Sequence, residues 1–288
     1  MKRRTFIKSG VAAAGSTLVG SAVLAGDSRA ATEKTEFKSS INHSVCKWCY
    51  PDLSVGELAA AGREMGIASV ELISVDDYPQ VREHGLICAM TSGPSTIPDG
   101  FNRIENHAWL VSGFKEVIPR VAEVDYPNII CFSGNRAGMD DEEGLENCLV
   151  GLQKIVPDAE KHGVTICMEL LNSKVDHADY MCDHTEWGVE LVKRVGSDRF
   201  KLLYDIYHMQ IMEGDVIRTI RDNHEYIGHY HTGGNPGRNE IDETQELYYP
   251  AIMQAIVDTG FNGYVAQEFI PTRSPLESLR EAVEICSV

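Results

Sequence analysis

The feature that most constrains this chain is an alternation. From residue 41 to residue 288, eight short apolar runs alternate with longer amphipathic stretches, with no linker, low-complexity tract or repeat between them. The runs are 44–48, 69–73, 86–91, 128–133, 164–170, 201–205, 226–231 and 263–269. Most lack the polar alternation of a half-exposed strand, as expected for parallel strands covered on both faces. The stretch 54–65 opens on Ser54 with Glu57 three residues on, a capping box. Further helical patterns cover 105–124, 141–162, 184–195, 215–223, 249–259 and 274–286, and the faintest covers 75–84. Gly66, Gly163, Gly196 and Gly260 each follow such a stretch, where a left-handed C-cap suits glycine. This pattern predicts an α/β chain folded as a single (β/α)8 TIM barrel. A doubly wound sheet is the alternative, but no glycine-rich phosphate turn follows the first strand.

In a TIM barrel the chemistry sits at the C-terminal ends of the strands. Four of those ends carry a metal-ligand residue type: Glu169, Asp205, His231 and Glu268. Their separations of 36, 26 and 37 residues are each about one βα unit, which places the four side chains on consecutive strands at similar height. One acid after an apolar strand is ordinarily a helix cap, and one histidine is ordinarily packed or solvated; four on consecutive strands form a pattern. Three carboxylates and one imidazole favour a single divalent ion, Mn²⁺ or Mg²⁺, with Co²⁺ also suited, over a thiolate-preferring metal. His229 shares a strand face with His231 and should lie deeper in a supporting role.

Several other residues group with these four. Asn172 and His208 follow Glu169 and Asp205 by three residues, and Asn235-Pro236-Gly237-Arg238-Asn239-Glu240 follows the seventh strand. Arg238 beyond a Pro-Gly turn suits holding an anionic or polyhydroxyl substrate with its planar fork of donors; pairing with Glu240 to brace the loop is the plainer reading. His208 could instead cap or line the crossover. Segment 46–50, Asn106, His107, Asn135 and Arg136 are unassigned pocket candidates, and Arg136 could supply a second cation.

Residues 1–30 have the form of an export signal: Lys2-Arg3-Arg4-Thr5-Phe6-Ile7-Lys8, an apolar run over 11–25, and small residues around Ser28-Arg29-Ala30. The paired arginines resemble a twin-arginine signal, which implies a periplasmic location. The run is too short and too rich in Gly and Ser to span a bilayer. The division expected is signal 1–30, extension 31–40 and barrel 41–288.

Charge narrows the partners. The chain carries 26 Lys and Arg against 43 Asp and Glu, and beyond residue 30 the balance is 21 against 42. Such a surface argues against nucleic acid, and against an anionic membrane as partner after signal removal. It also repels polyanions, so a free hydroxy-carbonyl sugar is expected rather than a sugar phosphate. A homo-oligomer is left open. Of the eight cysteines, Cys88, Cys131 and Cys167 lie in apolar runs and read as small hydrophobes. Cys46 and Cys49 form a lone C-x-x-C, read as two unpaired thiols with a local disulfide as the alternative.

The stretch from Val164 to Glu268 resembles the hydroxypyruvate isomerase family, within the xylose-isomerase-like barrels that include ketose 3-epimerases. The matching segments are Glu169-Leu170-Leu171-Asn172, Tyr204-Asp205-Ile206-Tyr207-His208-Met209-Gln210-Ile211-Met212-Glu213-Gly214-Asp215, Ile227-Gly228-His229 and Pro236-Gly237-Arg238-Asn239-Glu240. The resemblance covers most of residues 41–285 and is weak before residue 125. It implies that Glu169 and Glu268 bind the metal and move protons, that Asp205 and His231 complete the metal shell, and that His208 and Arg238 contact substrate. Asn172 and Glu240 join the substrate set. His231 stands where the isomerases usually carry Gln and the epimerases His, and segment 173–183 departs from the isomerases' usual loop. The implied chemistry is proton removal α to a metal-polarised carbonyl through an enediolate. Return of the proton to the adjacent carbon converts hydroxypyruvate to tartronate semialdehyde; return to the other face epimerises; loss of a β-substituent gives a lyase. The rivals are a phosphodiesterase on the same fold, disfavoured by the charge, and a non-catalytic exported sugar-binding barrel.

Overall fold

The computed structural model describes residues 39–288. The export signal, and all but the last two residues of the 31–40 extension, lie outside the described residues. The strands are β1 (Asn42–Cys46), β2 (Ser69–Glu71), β3 (Met90–Thr91), β4 (Asn128–Cys131), β5 (Thr165–Glu169), β6 (Phe200–Asp205), β7 (Ile227–Thr232) and β8 (Tyr264–Gln267). All pairings are parallel, in the order β2-β1-β8-β7-β6-β5-β4-β3. β1 pairing with β8 wraps the sheet round, and isolated parallel bridges Ser69–Ile87 and Ile73–Thr91 close the seam between β2 and β3. There the amides of Val70 and Leu72 donate to the carbonyls of Ile87 and Met90 at 3.1 and 2.8 Å. The fold is therefore the (β/α)8 barrel expected from the alternation.

The helices are α1 (Val55–Glu64), α2 (Tyr78–Arg82), α3 (His107–Ala122), α4 (Asp141–Leu152), α5 (Val156–His162), α6 (Thr185–Val195), α7 (Ile206–Met212), α8 (Val216–Asn223), α9 (Tyr249–Asp258) and α10 (Pro275–Cys286). The α1 capping box is present: Ser54 Oγ accepts from the Glu57 amide at 3.2 Å, and Glu57 Oε2 accepts from the Ser54 amide at 2.8 Å. Three expectations change. The single helix over 141–162 is two, because Pro157 has no amide to donate and its ring clashes with the carbonyl four residues back. The strand over 86–91 shrinks to Met90–Thr91, joined to β2 only by bridges. The extra helix α7 follows β6 at once, because Asp205 caps it by accepting from the His208 amide at 3.0 Å.

Inside the barrel, Met90, Ile130, Cys167 and Leu203 from β3–β6 form an apolar plug, with Leu72 and Phe132 packed against it. The other side of the interior is polar: Ser44, Glu71 and His229 are fully buried there. All eight cysteines are buried and free. No helix among the described residues is long and apolar enough to cross a membrane.

Candidate metal centre and active site

Register decides the site. Asp205 at the end of β6 stands opposite His231 on β7, Glu169 ends β5, and Glu268 follows β8. Ligand atoms of Glu169, Asp205, His231 and Glu268 all lie within 4.8 Å of one another, and all four residues are buried. His231 Nδ1 is 2.9 Å from Glu268 Oε2 and 3.4 Å from Glu169 Oε1. An imidazole nitrogen and a carboxylate oxygen that close need a proton or a cation between them. Burial would lower the His231 pKa, but Glu268, Cys46 and Glu169 together outweigh it and hold the imidazole well above its ordinary value. Burial raises Asp205 well above the carboxylate range and raises Glu169 too, and the charge of Glu268 adds to both. Glu268 goes the other way: burial opposes ionisation, but His231 and Arg238 hold it well below its ordinary value.

These residues fit a divalent ion. Glu169 Oε1 is buried and accepts no hydrogen bond, and three crowded carboxylates are the arrangement that a cation relieves. Three hard oxygens and one nitrogen suit Mn²⁺, Mg²⁺ or Co²⁺. Asp205 thus has two tasks: Oδ1 caps α7, and Oδ2 faces the cluster, 3.4 Å from Arg238 Nη2.

Arg238 enters from the loop after β7, at φ 57°, next to Gly237 at φ 98°. Left-handed backbone at an arginine carries strain of a kind that concentrates at functional sites. Its amide donates to the Gly234 carbonyl at 2.8 Å and its carbonyl accepts from the Ile270 amide at 2.7 Å, which holds the turn. The guanidinium lies 5.0 Å from the Trp48 ring centre and 5.3 Å from that of Tyr207, and Nη2 is 2.5 Å from Glu268 Oε2. The alternative pairing with Glu240 is absent: the guanidinium turns to Asp205 and Glu268 instead.

His208 is fully buried and accepts from Asn172 Nδ2 through Nδ1, at 2.6 Å. That bond assigns the proton to Nε2, which has no hydrogen-bond partner and lies 3.7 Å from Asp205 Oδ2. Burial and Arg238 push its pKa well below the usual value, so it is a neutral donor. Asn172 itself is spent: its amide nitrogen also donates to Asp176, and its oxygen accepts from the amides of Val175 and Asp176. It orients His208 and does not line the cleft.

The structure places four other candidates away from the cluster. Glu240 accepts from Thr272 and Arg273 amides and from the Thr272 and Ser278 hydroxyls, bracing the entry to α10. Arg136 pairs with Asp183 and Asp141 and donates to the Tyr180 and Met181 carbonyls, so it is no second cation for the site. Asn106 and His107 bond to the Gly100 and Phe101 carbonyls at the start of α3.

Trp48, within the 46–50 segment that the sequence offered as a pocket candidate, lines the cleft and donates Nε1–H to Glu268 Oε1 at 2.7 Å. The residues that sequence reasoning missed, Glu71 foremost, come mainly from the first half of the barrel. Fully buried Glu71 accepts at Oε1 from His229 Nε2 at 2.8 Å and His231 Nε2 at 2.9 Å, so His229 meets Glu71 and stands outside the four-residue cluster. A cleft of about 460 Å³ opens over the cluster. Glu169, Glu268, Arg238, His177 and Trp48 line it together with the apolar side chains of Leu72, Ile97, Ile130, Phe132 and Leu171 and the small residues Ser92, Gly93 and Ser95. His177, in the loop after β5, packs its ring 5.2 Å from that of His208. A larger groove of about 870 Å³ lies elsewhere, outside the barrel beside α6, and contains none of the cluster.

Comparison with known proteins gives a consistent picture. Hydroxypyruvate isomerase of Escherichia coli is 34% identical over 114 residues, which is 38% of this chain and 44% of that protein. D-psicose 3-epimerase of Ruminiclostridium cellulolyticum is 31% identical over 134 residues, 45% of this chain and 43% of that protein. The chain thus spans less than half the length of these curated relatives. Among solved structures, an AP endonuclease, family 2, from Brucella melitensis superposes with a TM-score of 0.73 at 22% identity, covering 84% of this chain and 97% of that one. This likeness shows the fold. The family model for the xylose isomerase-like TIM barrel matches residues 60–286, and the chain belongs to that family.

Proposed function

We propose that this protein is a divalent-metal-dependent isomerase or epimerase that moves the proton α to the carbonyl of a small hydroxy-carbonyl compound. The observation that carries this reading is a pair of buried glutamates, Glu169 and Glu268, that share one nitrogen of His231 and both line the cleft. Glu169, Asp205, His231 and Glu268 would hold the ion, which polarises the carbonyl and steadies the charge that develops as the proton leaves. One glutamate takes the α-proton and the other returns one. The Arg238 fork, which lines the cleft, holds a carboxylate or hydroxyl pair, while the Nε2–H of His208, fully buried and not among the cleft-lining residues, faces Asp205 Oδ2. Trp48 keeps Glu268 in place through Oε1, leaving Oε2 toward the cluster.

Two substrate readings follow. Isomerisation of hydroxypyruvate to tartronate semialdehyde is supported by the match to hydroxypyruvate isomerase and by Arg238, which suits one carboxylate. The cleft favours a second reading, epimerisation or β-elimination on a ketose or keto-glycoside: about 460 Å³ with a five-residue apolar wall is more room than a three-carbon acid fills. His231 in the ligand set and the match to D-psicose 3-epimerase support it. With Arg136 engaged elsewhere, a dianionic phosphate would meet only Arg238 among the cleft-lining cations. We assign the protein to the periplasm on its residues 1–30.

The test is solvent exchange. Protein loaded with Mn²⁺ is incubated in D₂O with hydroxypyruvate, ketohexoses and 3-keto-glycosides, each free and phosphorylated. Deuterium should enter one free substrate, and Glu169→Gln should abolish it. No exchange into any of them with metal bound overturns the reading in favour of a binding module. A phosphorylated sugar as best substrate overturns the substrate class. Cell fractionation of an Arg3→Lys/Arg4→Lys variant tests the export route, and unchanged export would sink it.

A further inference from the structure

The polar half of the barrel interior continues below the metal set. Glu71 ends β2, paired in register with Cys46 on β1. It is completely buried, as are Ser44, His229 and His231 around it. Its Oε1 accepts from the Nε2 atoms of His229 and His231 at 2.8 and 2.9 Å, and its Oε2 accepts from Ser44 Oγ at 2.5 Å. The next residue, Leu72, has φ 55°, a conformation that costs a bulky residue strain. The strand therefore stops at Glu71, which stands in the barrel while Leu72 lines the cleft.

A buried carboxylate facing three donors is expensive unless all three are kept. Here the three come from β1 and β7 and meet on a residue of β2, 158 and 160 positions away from its two histidines. A general carboxylate role in packing would not require the second histidine's ring to be the one whose far nitrogen faces Glu169 and Glu268. An imidazole that donates Nε2–H to a carboxylate has its Nδ1 lone pair fixed in direction and made more basic.

We propose that Glu71 is a positioning residue for the metal centre: it locks His231 in the tautomer and ring plane that present Nδ1 to the ion, with Ser44 and His229 holding Glu71 itself. This inference rests on the metal-site reading above. Glu71 stands outside the four-residue set of Glu169, Asp205, His231 and Glu268 and does not line the cleft, and the Cys46 Sγ lies 3.9 Å from both Glu71 Oε1 and His231 Nε2.

The test measures metal affinity by competition with a chelating dye, together with the visible absorption of the Co²⁺-loaded protein. The proteins compared are the parent, His231→Ala, Glu71→Gln, Glu71→Asp and Ser44→Ala. His231→Ala should lose the metal; if it binds as the parent does, the metal-site reading itself fails. With that control in place, Glu71→Gln should weaken metal binding roughly 10–100-fold, the usual effect of removing an outer partner of a ligand histidine. It should also shift the Co²⁺ bands while the metal-free circular dichroism stays unchanged. Glu71→Asp should recover part of the loss, because it restores the charge at shorter reach. If Glu71→Gln does not fold, Ser44→Ala decides by the same two readouts, with a severalfold loss and a smaller band shift expected. Parent-like affinity and Co²⁺ bands in the folded variant overturn the proposal, as does a second equivalent of metal bound by Glu71, His229 and His231.

Discussion

The two halves of the barrel meet at one cleft but bring different things to it. From β5 to β8, each strand end delivers one ligand-type side chain, and the loop after β7 adds Arg238. From β1 to β4, no strand end delivers a ligand to that set. Instead Glu71 and Ser44 support it, Trp48 holds Glu268, and Leu72, Ile97, Ile130 and Phe132 supply most of the apolar lining, to which Leu171 after β5 adds. On the proposed function, proton transfer rests on the second half of the barrel and most of the pocket's apolar surface on the first. Such a division would let the lining change to suit a new substrate while the proton-transfer residues stay the same.

This contrast can be broken from either side. The largest effect should come from the second half. Glu169→Gln and Glu268→Gln should each lower kcat by roughly 10²–10⁴-fold, the contribution of a positioned acid or base, with some metal retained. Near-parent rates in either variant would remove that residue from proton transfer. Arg238→Lys keeps the charge but loses the planar fork, so kcat/KM should drop by roughly 10–100-fold, equivalent to the roughly 1.5–3 kcal/mol of a charged hydrogen bond.

The first half should show itself in KM. Phe132→Ala should raise KM roughly tenfold for a keto-glycoside and leave turnover of hydroxypyruvate and metal affinity within about twofold. An equal loss on both substrates would mean that the wall does not set specificity. The smallest effect on activity should come from Glu240→Gln, in the loop after β7 but away from the cleft. Burial would raise the Glu240 pKa, but hydrogen bonds from Thr272 and Ser278 hold it down at about 2. Its folded value lies below its unfolded value, so its contribution is complete above about pH 5 and fades as pH falls toward 2. Chemical denaturation at pH 7 should show a loss of about 2 kcal/mol with unchanged kcat. The gap between variant and parent should shrink steadily in acid, and a gap that widens would reverse the sign argued here.

The same two halves differ in how far the chain alone reveals them. Eight strands, their order and the ends that matter were readable because burial on both faces leaves a local trace: short runs with little polar alternation, glycine stops after helices, and ligand residues one βα unit apart. Gly163 and Gly196, for example, are left-handed caps at φ 72° and 69°. Local rules can also hide one another. Asp205 was legible as a candidate ligand, but its task as the cap of α7 was not, because the helix starts without any break in the apolar run.

Only the closed barrel decided the rest. Glu71 looks like any acid after a short strand until the β1–β2 and β7–β8 pairings curl the sheet and bring it to His229 and His231. Arg238, Arg136 and Glu240 each carry a charge in a loop, and nothing local distinguishes them. Curvature sets Arg238 between Trp48 and Tyr207 over the carboxylates, while Arg136 and Glu240 find partners among neighbouring loops. Periodicity and spacing record which face of an element is buried. The partner of a buried charge is chosen by closure of the fold, through contacts between residues from 30 positions apart for Arg238 and Glu268 to 160 for Glu71 and His231, and it exists only once the tertiary structure has formed.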